Sequence, residues 1–288
     1  MTKILITGKN SYVGNELSEW IVRKNMNYEV ELVGMRDNEW RKKNFYDVDT
    51  VVHTAGIAHV STNPKMKEQY FKVNRDLTLE VALKAKKSGV KQFIFLSSII
   101  VFGNSKYRRS SINSETCIKP DNFYGESKLQ AENELLKLED DTFKIVIVRP
   151  PMIYGEGSKG NYPKLSKLAK FSPLFLKNNN KKSMIYVKNL CEFLYLLIKN
   201  NEYGTFHPQN NELVGSSILF NTIAKVNSKR VLNIEINDYV FNKLINKFEI
   251  FSKIFGDLYY EKKISEYKEK YNLFSFYESI NLTEKKGK

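Results

Sequence analysis

The stretch KILITGKNSYVGNELSEWI, residues 3–21, decides how the chain is read. Ile4, Leu5 and Ile6 form a short apolar run suited to a buried strand, Gly8 opens a tight turn, and Asn15 to Val22 carries the spacing of a first helix. That order makes a seat for phosphate, because the free amides at a helix start point at an anion. Gly8 lets the backbone turn sharply and Gly14 lets the helix pack closely on the strand. Ser11 holds the middle position of the GxxGxxG spacing, where a small residue still lets phosphates approach.

Further strand-like apolar runs lie near residues 30–33, 50–54, 92–97 and 144–148, alternating with helical patterns such as Asp76 to Ser88. That alternation predicts an α/β chain with a doubly wound parallel sheet. Right-handed crossovers then put the strand ends, and with them Gly8, Ala55, Ser98 and Pro150, along one edge, where such folds bind ligands. After Arg149 the chain turns loop-rich and basic, and Asn189 to Asn200 reads as a buried helix returning to the first domain. We expect a nucleotide-binding domain over 1–155, with 184–207 returning to it, and a smaller, mostly helical substrate-binding lobe from 156–183 and 208–288.

In NFYGESKLQAENELLKLE, Tyr124 and Lys128 stand four residues apart and share a helix face. A phenol beside a fixed positive charge is proton-transfer equipment, since the charge favours the phenolate. QFIFLSSIIVFG, residues 92–103, precedes that helix as a buried strand ending in two serines.

These segments are similar to those of the extended short-chain dehydrogenase/reductase family, in particular its nucleotide-sugar epimerases, dehydratases and 4-keto reductases of bacterial surface-polysaccharide synthesis. The resemblance rests on TGKNSYVG (7–14), HTAGIAHV (53–60), VNRDL (73–77), LSSIIVFG (96–103), YGESK (124–128) and RPPMIYG (149–155). It implies a Rossmann-type fold with Tyr124 as general acid/base, Lys128 lowering its pKa while holding the nicotinamide ribose, and Ser98 beside the reacting sugar oxygen. Ser97, facing the other way, reads as a packing or cofactor-side residue. The same resemblance implies cofactor contacts from Gly8, Asn10, Ser11, Tyr12, Val13, Gly14, Arg36, Thr54, Ala55, Gly56, Asn74, Lys128 and Pro151. It implies substrate contacts from Ser98 and Tyr124, and from Asn161 in GNYP and Lys182 in KKSMIYV. At Lys182 a lysine replaces the family's usual arginine and gives up bidentate geometry.

Departures from the family pattern bear on the reaction. An NAD enzyme carries an acid at the end of its second strand to hold the ribose hydroxyls. Here VELV runs into Gly34, Met35 and Arg36, which suits the 2′-phosphate of NADP over NAD, although Asp37 follows closely. Met152 stands where many epimerases carry a phosphate-contacting asparagine, and Ile99 where dehydratases carry an acid. The expectation is an oxidoreductase acting at C4 of a UDP-linked N-acetylated 6-deoxy hexose, 4-keto reductase ahead of 4-epimerase. An NAD(P)-sensing protein that lost the chemistry is the non-enzyme alternative.

Composition sets limits. The 288 residues carry 46 Lys and Arg against 32 Asp and Glu, a formal charge of +14. No basic segment has the pattern of a dedicated nucleic-acid binder, and a positive field suits pyrophosphate-bearing ligands. No apolar run approaches the ~20 residues of a spanning helix. The N-terminus enters a strand at once, and Cys117 and Cys191 lack CxxC spacing, so a reducing cytoplasm is expected. His53, His59 and His207 lack metal-ligand spacing, and no metal is expected. Phe241, Leu244, Ile245, Phe248, Phe251 and Phe255 recur at helical spacing, with Lys243, Lys247 and Lys253 on the other side, and read as a core-facing stripe, a membrane-surface helix being the alternative. A homodimer is the expected assembly.

Overall fold

The computed structural model describes residues 1–285 except 25, 59–62, 104–109, 238–242, 244–246, 248–250 and 252–253. Most of the apolar stripe expected over 241–255 lies outside the described residues. The chain runs β1 (Thr2–Thr7), α1 (Tyr12–Lys24), β2 (Tyr28–Val33), α2 (Glu39–Lys42), β3 (Thr50–His53), α3 (Lys67–Phe71), α4 (Leu77–Lys87), β4 (Gln92–Leu96), β5 (Ser110–Ile112), α5 (Phe123–Leu136) and β6 (Lys144–Val148). It continues through β7 (Met152–Tyr154), α6 (Asn161–Phe171), β8 (Leu174–Leu176), β9 (Met184–Tyr186), α7 (Val187–Lys199), β10 (Gly204–Phe206), α8 (Ser216–Val226), β11 (Leu232–Ile234), β12 (Leu258–Tyr260) and a C-terminal helix, Phe276–Lys285.

The chain divides into two compact units, one of residues 1–103, 118–150 and 190–208, the other of 104–117, 151–189 and 209–288. A six-stranded sheet of order β10-β6-β4-β3-β1-β2 forms the first unit. Every pairing in it is parallel, as the Rossmann-type reading requires. A parallel sheet needs a crossover between paired strands and is covered on both faces, so its inner strands carry continuous apolar runs, whereas the edge strands β2 (YEVELV) and β10 (GTF) are only partly buried. ILI in β1, VV in β3, FIF in β4 and IVIV in β6 are accordingly all buried. Leu5, Val51, Phe93, Phe95, Ile145 and Ile147 share one core with residues of α4 and α5, including Val81, Ala85, Ala131 and Leu135. The register Val33–Thr7–His53–Phe95–Ile147 carries all these strand ends to one edge.

The second unit holds three two-stranded parallel pairs, β5 with β12, β7 with β9 and β8 with β11. Helices α6, α8 and the C-terminal helix meet at the Glu284 carboxylate, which accepts from Tyr162 and Ser166 at 2.8 Å and from Asn227 at 3.1 Å. Lys170 pairs with it at 2.8 Å. Burial alone would raise its pKa, but these donors outweigh burial and hold it below the usual carboxylate value.

Candidate active site

The turn after β1 is built by Gly8, whose φ of 96° is open to glycine and strained for other residues. Its amide donates to the Val33 carbonyl at 2.8 Å, and its own carbonyl accepts from the Ser11 amide at 2.6 Å. Ser11 then caps α1, its Oγ accepting from the Gly14 amide at 3.2 Å. This accounts for serine at the middle position of the spacing, because its oxygen satisfies an amide that a glycine would leave open. Gly14 in turn lies against Thr54, and a Cβ there would stand 2.8 Å from Thr54 Oγ1. Asn10 is exposed on the turn, Tyr12 is half-buried, and Val13 is buried.

Beyond β2, Arg36 and Asp37 are exposed. Asp37 Oδ1 accepts from the Glu39 amide at 3.1 Å within its own turn.

Strand β3 delivers Thr54, Ala55 and Gly56 to the same edge. Asn74 is fully buried and fixes the turn that follows them. Its Oδ1 accepts from the Ile57 amide at 2.8 Å, and its Nδ2 donates to Ile57 O at 3.0 Å and to Ser127 Oγ at 3.1 Å. With both amide protons spent, Asn74 binds the Gly56–Ile57 turn to α5.

The Tyr124, Lys128 and Ser98 side chains gather where α5 faces the end of β4. Asn122 starts α5 by accepting from the Gly125 amide at 2.9 Å. Lys128 is buried, donates from Nζ to Leu96 O at 2.8 Å, and lies 4.5 Å from the Phe95 ring centroid. A Cβ on the exposed Gly56 would stand 3.2 Å from Lys128 Nζ. Burial lowers the Lys128 pKa to about 8, with Glu132 opposing the shift. The Tyr124 ring meets Tyr70 edge-on at 5.8 Å. Its hydroxyl is pushed up to about 12 by burial, with Ser98 acting downward and Tyr70 upward. The expectation that Lys128 brings the phenol toward neutrality is therefore corrected: burial dominates, and Lys128 is committed to the Leu96 carbonyl and the Phe95 ring.

The two serines at the end of β4 part company. Ser98 Oγ accepts from the Ile100 amide at 3.3 Å and meets Tyr124, whereas buried Ser97 donates to Glu132. Glu132 also receives the Arg149 guanidinium, Nη2 to Oε2 at 2.6 Å and Nε to Oε1 at 3.1 Å. The motifs do not single out Glu132, yet Tyr124, Lys128 and Glu132 recur every four residues, a signal for one continuous buried helix face.

His53 is a second site element that the motifs do not reveal. Its Nδ1 lies 2.8 Å from Thr7 Oγ1 and its Nε2 lies 3.1 Å from Thr78 Oγ1. Thr78 spends its only proton on Asn74 O at 2.8 Å, so Nε2 carries the imidazole proton and Nδ1 accepts from Thr7. Burial, helped by Lys128, lowers its pKa to about 3, so it is a neutral brace at the strand ends.

Three of the expected contact residues belong to the second unit. Pro151 is buried before β7, Asn161 is exposed as the first residue of α6, and Lys182 is half-buried where it bridges to Leu258. Burial lowers the Lys182 pKa to about 8 against the attraction of Asp257.

The model of the NAD dependent epimerase/dehydratase family matches residues 4–207. The chain belongs to that family. A "UDP-glucose 4-epimerase" of Vibrio cholerae is 29% identical over 88% of this chain and 86% of its own length. An "N-acetyl-alpha-D-glucosaminyl-diphospho-ditrans,octacis-undecaprenol 4-epimerase" of Escherichia coli O157:H7 is 32% identical over 70% of this chain and 64% of its own. The solved UDP-glucuronic acid 4-epimerase of Bacillus cereus, in complex with NAD, shares the fold with a TM-score of 0.77, covering 99% of this chain and 98% of that one at 15% identity.

The residues present fit the family's NAD(P). The turn at Gly8 leaves no room for a Cβ, which would meet the Ala55 amide nitrogen at 3.1 Å, and the helix that follows starts at the sheet edge. Among the described residues no three His, Cys, Asp or Glu side chains gather as a metal site. Among them, too, no helix is long and apolar enough to cross a membrane.

Proposed function

We propose that the chain catalyses hydride transfer at C4 of a UDP-linked hexose, with NAD(P) held by the first unit. The observation that carries this is the convergence of Tyr124 and Lys128, one turn apart on α5, on the end of β4 that carries Ser98, with Lys128 Nζ donating to Leu96 O at 2.8 Å. NAD(P), when bound, supplies the hydride acceptor or donor. Tyr124 holds the proton that joins or leaves the C4 oxygen, Ser98 donates to that oxygen as its charge changes, and Lys128 keeps positive charge beside the pair. Gly8, Asn10, Ser11, Tyr12, Val13 and Gly14 line the pyrophosphate seat. Thr54, Ala55, Gly56, Lys128 and Pro151 serve the rest of the cofactor, and buried Asn74 holds the Gly56–Ile57 turn beneath it. Asn161 and Lys182 contact the sugar diphosphate.

Two reactions share this chemistry. Epimerisation at C4, in which hydride leaves and returns to the opposite sugar face, is the first reading, supported by the names of both relatives above. We place it ahead of reduction, the opposite of the order expected from sequence. The relative acting on an undecaprenol-linked sugar makes a polyprenyl diphosphate the second carrier to test. Reduction of a 4-keto sugar is the second reading, favoured by exposed Arg36 after β2, whose charge suits the 2′-phosphate of NADPH. In either reaction the protein works as a cytoplasmic homodimer in the supply of surface-glycan sugars.

The test uses purified protein with UDP-glucose, UDP-N-acetylglucosamine and a UDP-linked 4-keto-6-deoxy hexose, with NADPH and NADH supplied separately. Interconversion of epimers without net cofactor loss establishes the epimerase. Stoichiometric cofactor oxidation with a gain of two hydrogens in the sugar establishes the reductase. No turnover of any of these, nor of a polyprenyl-diphosphate sugar, overturns the proposal.

A further inference from the structure

The stretch from Gly157 to Cys191 holds eight lysines and no acidic residue, and the proposed chemistry engages Lys182 alone among them. Helix α6 sorts part of this charge by face. Tyr162, Ser166 and Ala169 are buried, and Lys170 turns inward to pair with Glu284. Lys164, Lys167, Leu168 and Phe171, related by steps of three and four residues, are exposed on the other face. Phe171 is 79% exposed at the end of the helix.

The apolar surface continues past the helix. Leu174, at the start of β8, is paired in register with Leu232 of β11, and the Leu232 amide donates to Pro173 O at 2.8 Å. Leu174 is 46% and Leu232 66% exposed. Lys229 and Arg230, both exposed, lead into that strand. Leu168 and Phe171 at the end of α6, followed along the chain by Leu174 with its register partner Leu232, thus make a strip of exposed apolar groups, preceded in sequence by Lys164 and Lys167 on α6 and by Lys229 and Arg230 before β11. Single exposed leucines call for no explanation, but an ordered strip of large apolar groups flanked by like charges marks an interaction surface.

We propose that this strip docks the chain on an anionic lipid bilayer, with Phe171 and the leucines entering the headgroup boundary and the four cations facing lipid phosphates. Charge complementarity selects this occupant. A second copy of the chain would bring four cations against four more in a molecule already at +14, whereas an anionic surface attracts them. The long lysine and arginine stems let their charges reach the headgroups while the apolar groups sit deeper. The inference stands apart from the reaction assigned to the first unit, because it concerns no residue of the proposed catalytic or binding set.

The test is co-sedimentation of the full chain with vesicles of phosphatidylcholine alone and of phosphatidylcholine with an equal part of phosphatidylglycerol. Binding is expected only to the anionic vesicles, weakening as salt rises. The double variant Lys164→Ser/Lys167→Ser and the single variant Phe171→Ser should each lower the apparent partition by about tenfold or more, with unchanged Tm. Lys65→Ser/Lys67→Ser, which removes equal charge from the first unit, should leave it nearly unchanged. Failure to bind anionic vesicles at low salt overturns the proposal. So does an equal loss in the Lys65/Lys67 control, which would make the binding a property of net charge. A concentration-dependent dimer in light scattering that Phe171→Ser abolishes would also overturn it, by assigning the strip to a second copy.

Discussion

Lys128 Nζ and the carbonyl oxygen of Leu96 lie 2.8 Å apart, and this bond fastens the middle of α5 to the last residue of β4. The strand end that carries Ser97 and Ser98 is thus held by the helix that carries Tyr124. Placement of the three candidate catalytic groups depends on one charge-assisted contact as well as on packing.

Replacing Tyr124 with Phe keeps the ring against Tyr70 and removes the proton. Turnover should fall by about 10²- to 10⁴-fold. Affinity for NAD(H) or NADP(H), measured by titration calorimetry, should stay close to that of the parent. Full activity in the variant would remove Tyr124 from the chemistry.

Gly56→Ala puts a methyl group 3.2 Å from Lys128 Nζ and 3.1 Å from Asn74 Oδ1. Both atoms are held by hydrogen bonds and can yield only slightly. Cofactor affinity and kcat should each drop by roughly tenfold, because sub-ångström misplacement of positioned groups is costly. The thermal midpoint should move little. Unaltered kinetics would mean that the Gly56 turn relaxes freely.

The Glu132 and Arg149 side chains are only 1% and 10% exposed. Glu132→Gln leaves a guanidinium buried without its anion and should cost about 3–5 kcal/mol in denaturant unfolding. Glu132→Leu combined with Arg149→Leu should recover much of that loss, because replacing both charges removes the desolvation cost. A double variant as unstable as the single one would assign the pair a role beyond mutual neutralisation.

His53 should make the fold acid-sensitive. Its pKa is about 3 in the folded chain against 6.5 for a free histidine, with burial the main cause and Lys128 adding to it. Between those pH values the unfolded chain binds a proton that the folded chain refuses, so stability falls as pH drops from 6.5 toward 3. The loss approaches about 5 kcal/mol at the acid end, since each tenfold weakening of proton affinity is worth about 1.4 kcal/mol. His207, lowered to about 4 by burial and by Arg149, adds to it in the same sense. Unfolding midpoints across this range should be visibly flatter in His53→Gln than in the parent, and an identical slope would refute the assignment.

If Arg36 serves a 2′-phosphate, Arg36→Ala should raise KM for NADPH by about tenfold or more, the scale of one charge-assisted contact. KM for NADH should change little. An equal effect on both cofactors, or on neither, would argue against NADP.

The sheet was legible in the sequence because a parallel sheet covered on both faces demands continuous apolar strands, and ILI, FIF and IVIV announce themselves. Family and enzyme class were legible in six ordered motifs, and the Tyr124 and Lys128 spacing was enough to put both on α5. Less legible was what surrounds the site. The link from Asn74 to Ser127, the two hydroxyls on His53 and the ion pair of Glu132 with Arg149 each join residues distant in the chain, and nothing local reveals which buried group will meet which. The electrostatics of Tyr124 escaped for the same reason: spacing showed the neighbouring lysine, whereas the burial that outweighs it comes from tertiary packing.

The six-stranded sheet also has a history within the growing chain. Its outermost strand on one side, β10, lies at residues 204–206, after about two thirds of the sequence. A nascent chain can pair the other five strands early, but the second partner of β6 arrives only after the intervening second-unit segment 151–189 has left the ribosome. Until then β6, with its buried Ile145 to Val148, presents an unpaired edge. Between the synthesis of β6 and that of β10, stalling therefore leaves this apolar edge open to aggregation.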